Sequence, residues 1–361
     1  MNYSWSYKDL KKRYNMLQRK LKGNLSFKDR ILIVKDMEET LTSISFLLLD
    51  YDDFGTPSMV DAVAAEHELL SYYSFLWRDC LEVADTIESK LSFKLRPQRL
   101  MLTQDELLGI VHDFYKNQIG GEFFLTFLKD FNQRYNHVRF TPSKNVEGAT
   151  YHVGYFKESF IDISWNHIFL DIIVLIHEYG HAIHFQTNYY NQASMELLPF
   201  WEIVSMFMES VAYDHFIKDS TFSKMALESK LIDHKSLLNN MYDLGTLLKL
   251  FQNWDIEELN SNGRIKHCAR IAGISIKDLM YSLNTQASCN LQYVVSFLVV
   301  IELMDVYRND PEKAFYLLRQ ILSIKALDLD EYYRELVGKG INLHAHVKDF
   351  ESELKRELKR F

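Results

Sequence analysis

The segment 169–185, FLDIIVLIHEYGHAIHF, carries three histidines and a glutamate inside a largely apolar stretch without proline. Apolar residues on all sides of this pattern predict a helix that is buried among other elements. Imidazole and carboxylate groups on such a helix need partners, because burying an unsatisfied polar group costs roughly 2–7 kcal/mol. The segment therefore predicts a packed helix with a polar site on one face.

Prolines and glycines are scarce, with 5 Pro and 13 Gly in 361 residues, and this scarcity favours long helices. Apolar residues recur at helical spacing over 7–90 and 103–135, and again from 166 to the C-terminus. The string TQDE predicts a capping box, in which Thr103 binds the first amides and Glu106 reaches back. A chain of this length accommodates one large domain or two smaller ones.

Between residues 137 and 164 the pattern changes to an alternation of apolar and polar residues. The strings HVRF, ATYHVGYF and SFIDIS predict three short strands of a small antiparallel sheet, separated by TPSKNVEG and KE. We therefore predict a mainly α-helical protein with one small sheet beside the histidine helix.

Charge and hydropathy exclude several classes of partner. The formal net charge of −8 argues against nucleic acid, because phosphate binding needs a basic face. The runs IIVLI and VVSFLVVIELM are too short to span a bilayer, and MNYSWSYKDLKKRY lacks the apolar core of a secretion signal. Three widely spaced cysteines predict no disulfide framework. We expect a cytoplasmic protein without membrane partners, and the sequence leaves its oligomeric state open.

The string HEYGH has the spacing of a metal-binding helix. His177 and His181 are four residues apart, so both imidazoles project from one helix face and can bind one cation. Glu178 lies beside that cation without having to ligate it, so its carboxylate can take a proton from a bound water. Zinc lowers the pKa of bound water to roughly 7, which predicts hydrolysis. The alternative is that core hydrogen bonds satisfy both histidines.

A catalytic zinc usually has a third protein ligand. The pattern H-E-x-x-H-x-x-G-x-x-H does not supply it, because His184 stands at the glycine position and Thr187 at the last histidine position. The string PFWEIVSMFMESVAYDHF instead offers Glu202 as the ligand. Glu209 lies two helical turns further on, where it can hold an imidazole that binds the metal. The same ligands also suit cobalt or manganese.

These residues resemble the thimet oligopeptidase and oligoendopeptidase F family of zinc peptidases. The resemblance runs from GATYHVGYFKESFIDISWN through VLIHEYGHAIH to FWEIVSMFMES, and more loosely to the C-terminus. It implies a two-lobed, mainly α-helical body with one zinc ion per chain. His177, His181 and Glu202 match the zinc ligands, and Glu178 matches the general base. It matches Glu209 to an acidic position near the ligands and His184 to a third histidine, which either packs or supports the site. The region 137–361 would be catalytic and 1–136 a reduced N-terminal lobe.

The resemblance weakens where the family holds its substrate. Aligning the Gln-Tyr pair of CNLQYVVSFLVVIELMDVY keeps Tyr293 as a candidate to stabilise the oxyanion. Asn284, Cys289 and Ser296 then stand where the family has histidine or tyrosine, with glycine as an alternative at the last position. Two alternatives to this role stay open: Tyr281 or a residue near His344 does this work, or the protein stabilises its transition state differently. Tyr293 would then be an ordinary core aromatic.

We therefore predict a zinc-dependent oligopeptidase that hydrolyses short peptides by metal-activated water. Two other functions remain open. The first is a catalytically impaired, zinc-containing peptide-binding protein, favoured by the substituted positions in the C-terminal helix. The second is a zinc hydrolase that acts on a non-peptide amide. The strand region before the histidine helix favours peptides, because an exposed strand edge recognises a peptide backbone.

Overall fold

The structure is a computed structural model in which most described residues are helical. It describes residues 7–26, 29–37, 40, 76, 78, 80–83, 98–132, 137–141, 148–153, 158–187, 200–251, 270, 287–325, 329–341, 350, 352 and 354–355. The predictions for the helical stretches 41–75 and 84–90 lie outside these residues. No helix within the described ranges is long and apolar enough to cross a membrane.

The prediction of a mainly α-helical fold is confirmed. The helices are α1 (Tyr7–Leu21), α2 (Gln104–Phe114), α3 (Gly121–Phe131), α4 (Leu170–Thr187), α5 (Ile203–Phe216), α6 (Ser223–Phe251), α7 (Ala287–Asn309), α8 (Pro311–Leu322) and α9 (Leu329–Gly338). Residues 29–37 are also helical, and a π-helical turn (Tyr115–Ile119) joins α2 to α3. The predicted capping box begins α2, since Thr103 and Glu106 satisfy each other's backbone amides. The division of the chain at residue 136 stays a prediction.

Three strands precede α4 as predicted: β1 (Val138–Thr141), β2 (Gly148–Val153) and β3 (Glu158–Ser164). The prediction of a wholly antiparallel sheet is wrong, because the strand order is β1-β3-β2 and β1 pairs with β3 in parallel. Successive strands reverse direction, so a central β3 is antiparallel to β2 and parallel to β1. β3 takes the centre because its residues are buried on both faces, including Phe160, Ile161 and Ile163.

The two ends of the chain's described part contribute to different apolar clusters. The larger cluster joins residues of α2 and α3 to those of α4, α5 and α7. A smaller cluster packs Leu17 and Leu21 of α1, with Val34 and its neighbours, against Phe160 of β3. The sheet therefore packs against α4 on one face and against the N-terminal helices on the other.

Aromatic rings fix the position of α4. The Tyr115 ring stacks on Phe127 at a centroid distance of 4.2 Å, and Phe127 meets Tyr179 of α4 edge-on at 4.8 Å. The Tyr115 hydroxyl donates to the carbonyl oxygen of Ile176 at 2.8 Å. Burial and the nearby Tyr179 raise the pKa of Tyr115 well above its usual value, so the phenol stays a donor. One face of α4 is thereby held by α3 and the π-helical turn.

The other face of α4 lies against α5 at very short range. A Cβ added to Gly180 would lie 2.5 Å from the Cα of Ser205 and 3.0 Å from its backbone nitrogen. Only glycine fits between the helices at this point, because real Cβ atoms do not come this close to backbone. The close approach brings the start of α5 beside the histidines of α4.

Gly180→Ala is expected to destabilise the protein by about 1–3 kcal/mol or more, because the added methyl group collides with the backbone of α5. Urea unfolding, followed by circular dichroism, measures the change. Gly109→Ala is the matched control: Gly109 lies exposed on α2 with nothing within 4 Å of an added Cβ. There the same substitution should stabilise by about 0.5–1 kcal/mol. Equal effects at both positions would contradict the close packing of α4 on α5.

Candidate metal centre

The structure brings together the three residues predicted as metal ligands. His177 and His181 lie one turn apart on α4, and Glu202 is the N-cap residue of α5. Glu202 Oε2 lies 3.2 Å from His177 Nε2 and 3.1 Å from His181 Nε2. The three donor atoms all lie within 4.8 Å of one another. Because Glu202 is only 4% exposed, the carboxylate meets the imidazoles away from bulk water.

The second nitrogen of His177 is also engaged. His177 Nδ1 lies 3.0 Å from Glu209 Oε2, and a carboxylate only accepts, so Nδ1 carries the proton. This leaves Nε2, on the side of Glu202, as the nitrogen that could bind a metal. A carboxylate that orients a metal-binding imidazole in this way is a regular feature of zinc sites. The role predicted for Glu209 stays a prediction, and its contact with His177 is the geometry that this role requires.

The charges of the cluster favour a cation. Burial alone would lower the pKa of His177, but the carboxylates of Glu202 and Glu209 raise it well above its usual value. Burial alone would raise the pKa of Glu202, but His181 and His177 hold it well below its usual range. Two carboxylates thus face the imidazoles in a buried site. Two imidazole nitrogens and one carboxylate oxygen are also the donor types that zinc takes in catalytic sites, so the residues fit the metal.

His184 contacts the backbone that leads into α5. Its Nδ1 donates to the carbonyl oxygen of Trp201 at 3.1 Å. Burial lowers the pKa of His184 to about 4, so the ring is neutral at physiological pH. The metal-ligand group found among the described residues does not include it. Of the two roles left open by the sequence, the geometry favours support: His184 ties α4 to the residue before Glu202.

Glu178 is buried and is held by strand β2. The Thr150 hydroxyl lies 2.6 Å from Glu178 Oε2 and 2.9 Å from the Glu178 carbonyl oxygen. A Cβ added to Gly148 would lie 2.5 Å from Glu178 Oε1, so the carboxylate occupies the space that glycine leaves. Gly148 and Thr150 are two residues apart in a strand and share one face. Sequence reasoning missed both residues; the alternation at this spacing was the only signal.

The second oxygen of Glu202 faces α7, where the Gln292 amide donates to Oε1. The Ser205 hydroxyl lies 3.1 Å from Oε2 and 3.0 Å from the Glu202 carbonyl oxygen. Neither contact was predicted, although Gln292 belongs to the Gln-Tyr pair that aligned this segment with the family. The two carboxylate oxygens therefore have different neighbours.

Tyr293 follows Gln292 on α7 and is 37% exposed, so it is not a core aromatic. Ser296, three residues further on, is fully buried. Asn284, Tyr281 and His344 lie outside the described residues, and so does the side chain of Cys289. Tyr293 therefore stays a candidate for the oxyanion donor.

With this geometry in place, comparisons with known proteins address the fold. No family model and no curated protein matches the sequence. A structure described as an oligoendopeptidase F from Bacillus anthracis strain Ames matches with a TM-score of 0.56 and 15% identity, over 98% of this chain and 65% of that one. The chain shares the fold of this structure.

Two further structures agree. One, described as a peptidase from Chlamydophila abortus, matches with a TM-score of 0.55 and 11% identity, over 98% of this chain and 63% of that one. PZ peptidase A with an inhibitor matches with a TM-score of 0.51 and 11% identity, over 91% of this chain and 65% of that one. The chain spans less than two thirds of each of these three proteins. Identity this low establishes the fold alone.

Glu209→Leu is expected to weaken zinc binding about 10- to 100-fold, because His177 loses the acceptor that orients it. Glu209→Gln keeps an oxygen acceptor and should lose less. Titration against a chelator of known zinc affinity measures both variants. Glu312→Leu makes the same change at an exposed carboxylate of α8 and serves as the control. Equal zinc affinity in Glu209→Leu and the control would contradict the role of Glu209.

Proposed function

We propose that this protein is a zinc-dependent oligopeptidase that hydrolyses short peptides. The observation that carries the proposal is the convergence of His177, His181 and Glu202 on one point, with the buried Glu178 next to them in the sequence. A structural zinc site would not need Glu178, which is not one of the three proposed ligands. The peptidase fold of the chain is consistent with the proposal.

The proposed reaction divides the work among few side chains. Zinc held by the two histidines and Glu202 would supply a Lewis acid that makes water nucleophilic near neutral pH. Glu178 accepts a proton from the attacking water and passes it to the leaving amine. Thr150 holds the Glu178 carboxylate at Oε2, so the base is oriented before the substrate arrives.

The substrate class follows from β2. Among the described strands, β2 pairs only with β3, and the Glu178 carboxylate lies against it. A peptide that adds to the outer edge of β2 as a further strand would bring its backbone past the general base. This geometry favours peptides over other amides, and β2 is the strand whose edge would recognise the peptide backbone.

Tyr293 is our candidate for the donor that stabilises the oxyanion, since it is exposed on α7 next to Gln292. Losing one such donor costs about 10²- to 10³-fold in rate. Because Asn284, Cys289 and Ser296 replace the donors expected from the family, we expect a slow peptidase. The same three residues favour the second candidate function, a zinc-containing protein that binds peptides without cutting them. A cytoplasmic location remains part of the proposal.

Glu178→Gln is expected to reduce peptide hydrolysis by about 10²- to 10⁴-fold, because the amide cannot accept the proton. A mixed library of peptides of about 5 to 20 residues, with mass spectrometry as the readout, measures the loss in the zinc-loaded chain. Bound zinc should stay near one ion per chain in the variant. If the wild-type chain binds zinc and cuts no peptide, the proposed peptidase activity is wrong. The second candidate function, a zinc-containing protein that binds peptides without cutting them, would then stand.

Thr150→Val is expected to lower kcat about ten-fold or more, because a hydrogen bond to a charged group contributes about 1.5–3 kcal/mol. The substitution keeps the shape of the side chain and removes the donor to Glu178. Thr150→Ser keeps the hydroxyl and is the matched control, with kcat expected near that of wild type. KM should change little in either variant. If Thr150→Val retained the wild-type kcat, Thr150 would have no part in orienting the base.

A further inference from the structure

The carboxylate of Glu202 is held from two sides by different elements. Its Oε2 faces the imidazoles of α4 and the Ser205 hydroxyl, at 3.1–3.2 Å. Its Oε1 accepts the amide of Gln292, which lies on α7 and is 90 residues away in the sequence. Both oxygens therefore have assigned neighbours, and only Oε2 lies with the other metal-binding atoms.

We infer that Gln292 is a positioning residue that makes Glu202 a one-oxygen ligand of the metal. This inference rests on the zinc site of the proposed function. An Oε1 that accepts the Gln292 amide keeps its place on the side of α7, away from the cation. A carboxylate that gave both oxygens to zinc would occupy one coordination position more, and a catalytic zinc needs one position open. Gln292 would thus help to keep that position available.

The chemistry of the side chain suits this task. A neutral amide donates a hydrogen bond to Glu202 without neutralising its charge, so the carboxylate keeps its full attraction for a cation. Lysine or arginine at position 292 would compete with the metal for the same carboxylate. Serine or threonine would hold its hydroxyl closer to the backbone of α7 than the Gln292 amide, which reaches Glu202 at the end of a longer side chain.

Gln292 is also held firmly enough to act at this distance. Its neighbours Leu291, Val294 and Val295 are fully buried, so the first turns of α7 are fixed by apolar packing. Gln292 itself is half-buried and projects toward α5. The packing of α7 therefore fixes the backbone from which the Gln292 amide reaches Glu202.

Gln292→Met tests the inference, because methionine has a similar length and no donor. Titration of the full chain against a chelator should show zinc affinity about 10- to 100-fold below wild type. In the cobalt-loaded variant the visible absorption should weaken, because a carboxylate that binds through both oxygens raises the coordination number. Gln104→Met makes the same change at an exposed position of α2 and should match wild type in both measurements.

Gln292→Asn gives a second variant in case Gln292→Met does not fold. It keeps the amide but holds it one methylene further back, so zinc affinity should again fall. Wild-type zinc affinity and an unchanged cobalt spectrum in both variants would overturn the role of Gln292. Peptide cleavage by wild type decides the proposed function separately, because affinity and spectrum are measured without substrate. A wild-type chain that took up no zinc would overturn both.

Discussion

The buried carboxylate of Glu202 is the group on which the arrangement of the site depends. A buried charge has to be paired, and leaving it without partners costs about 3–5 kcal/mol. Here the partners come from three helices: the imidazoles of α4, the Ser205 hydroxyl of α5 and the Gln292 amide of α7. The carboxylate therefore specifies how three separate helices meet, while apolar packing supplies most of the stability.

The stable part of the molecule and its reactive part share α4. The aromatic rings of Tyr115 and Phe127 hold one face of that helix, and α5 holds another. The polar side chains of α4 contact two other elements: Glu178 contacts β2, and the histidines contact the start of α5. Polar groups in such a packed setting keep their orientation, because moving them requires the surrounding core to move as well. This is the property that a proton-transferring carboxylate and a set of metal ligands need.

Local patterns were enough to predict much of this fold. Helical spacing in the segment 169–185 predicted α4, and the capping box predicted the start of α2. The seven-residue spacing from Glu202 to Glu209 predicted that both carboxylates face the same way, and both contact His177. The order of the strands could not be predicted, because it depends on β3 being buried on both faces. Alternating letters alone do not reveal that burial.

Two contacts between distant parts of the chain could also not be predicted from the sequence. Thr150 reaches Glu178 only because β2 lies against α4, and Gln292 reaches Glu202 only because α7 lies against α5. Threonine in a strand and glutamine in a helix carry no local sign of such a partner. The sequence therefore predicted the proposed ligands and Glu209, whereas Thr150 and Gln292 emerge only from packing.

The contact between Gly180 and Ser205 has an evolutionary consequence. The atoms that exclude a side chain at position 180 are the backbone atoms of residue 205, so trimming the serine would not relieve the collision. A second substitution at the point of contact cannot compensate for a first one. Any lineage that replaced this glycine would have to shift a whole helix, and the shift would carry Glu202 away from the histidines. A single substitution at position 180 is therefore excluded for as long as His177, His181 and Glu202 have to stay together.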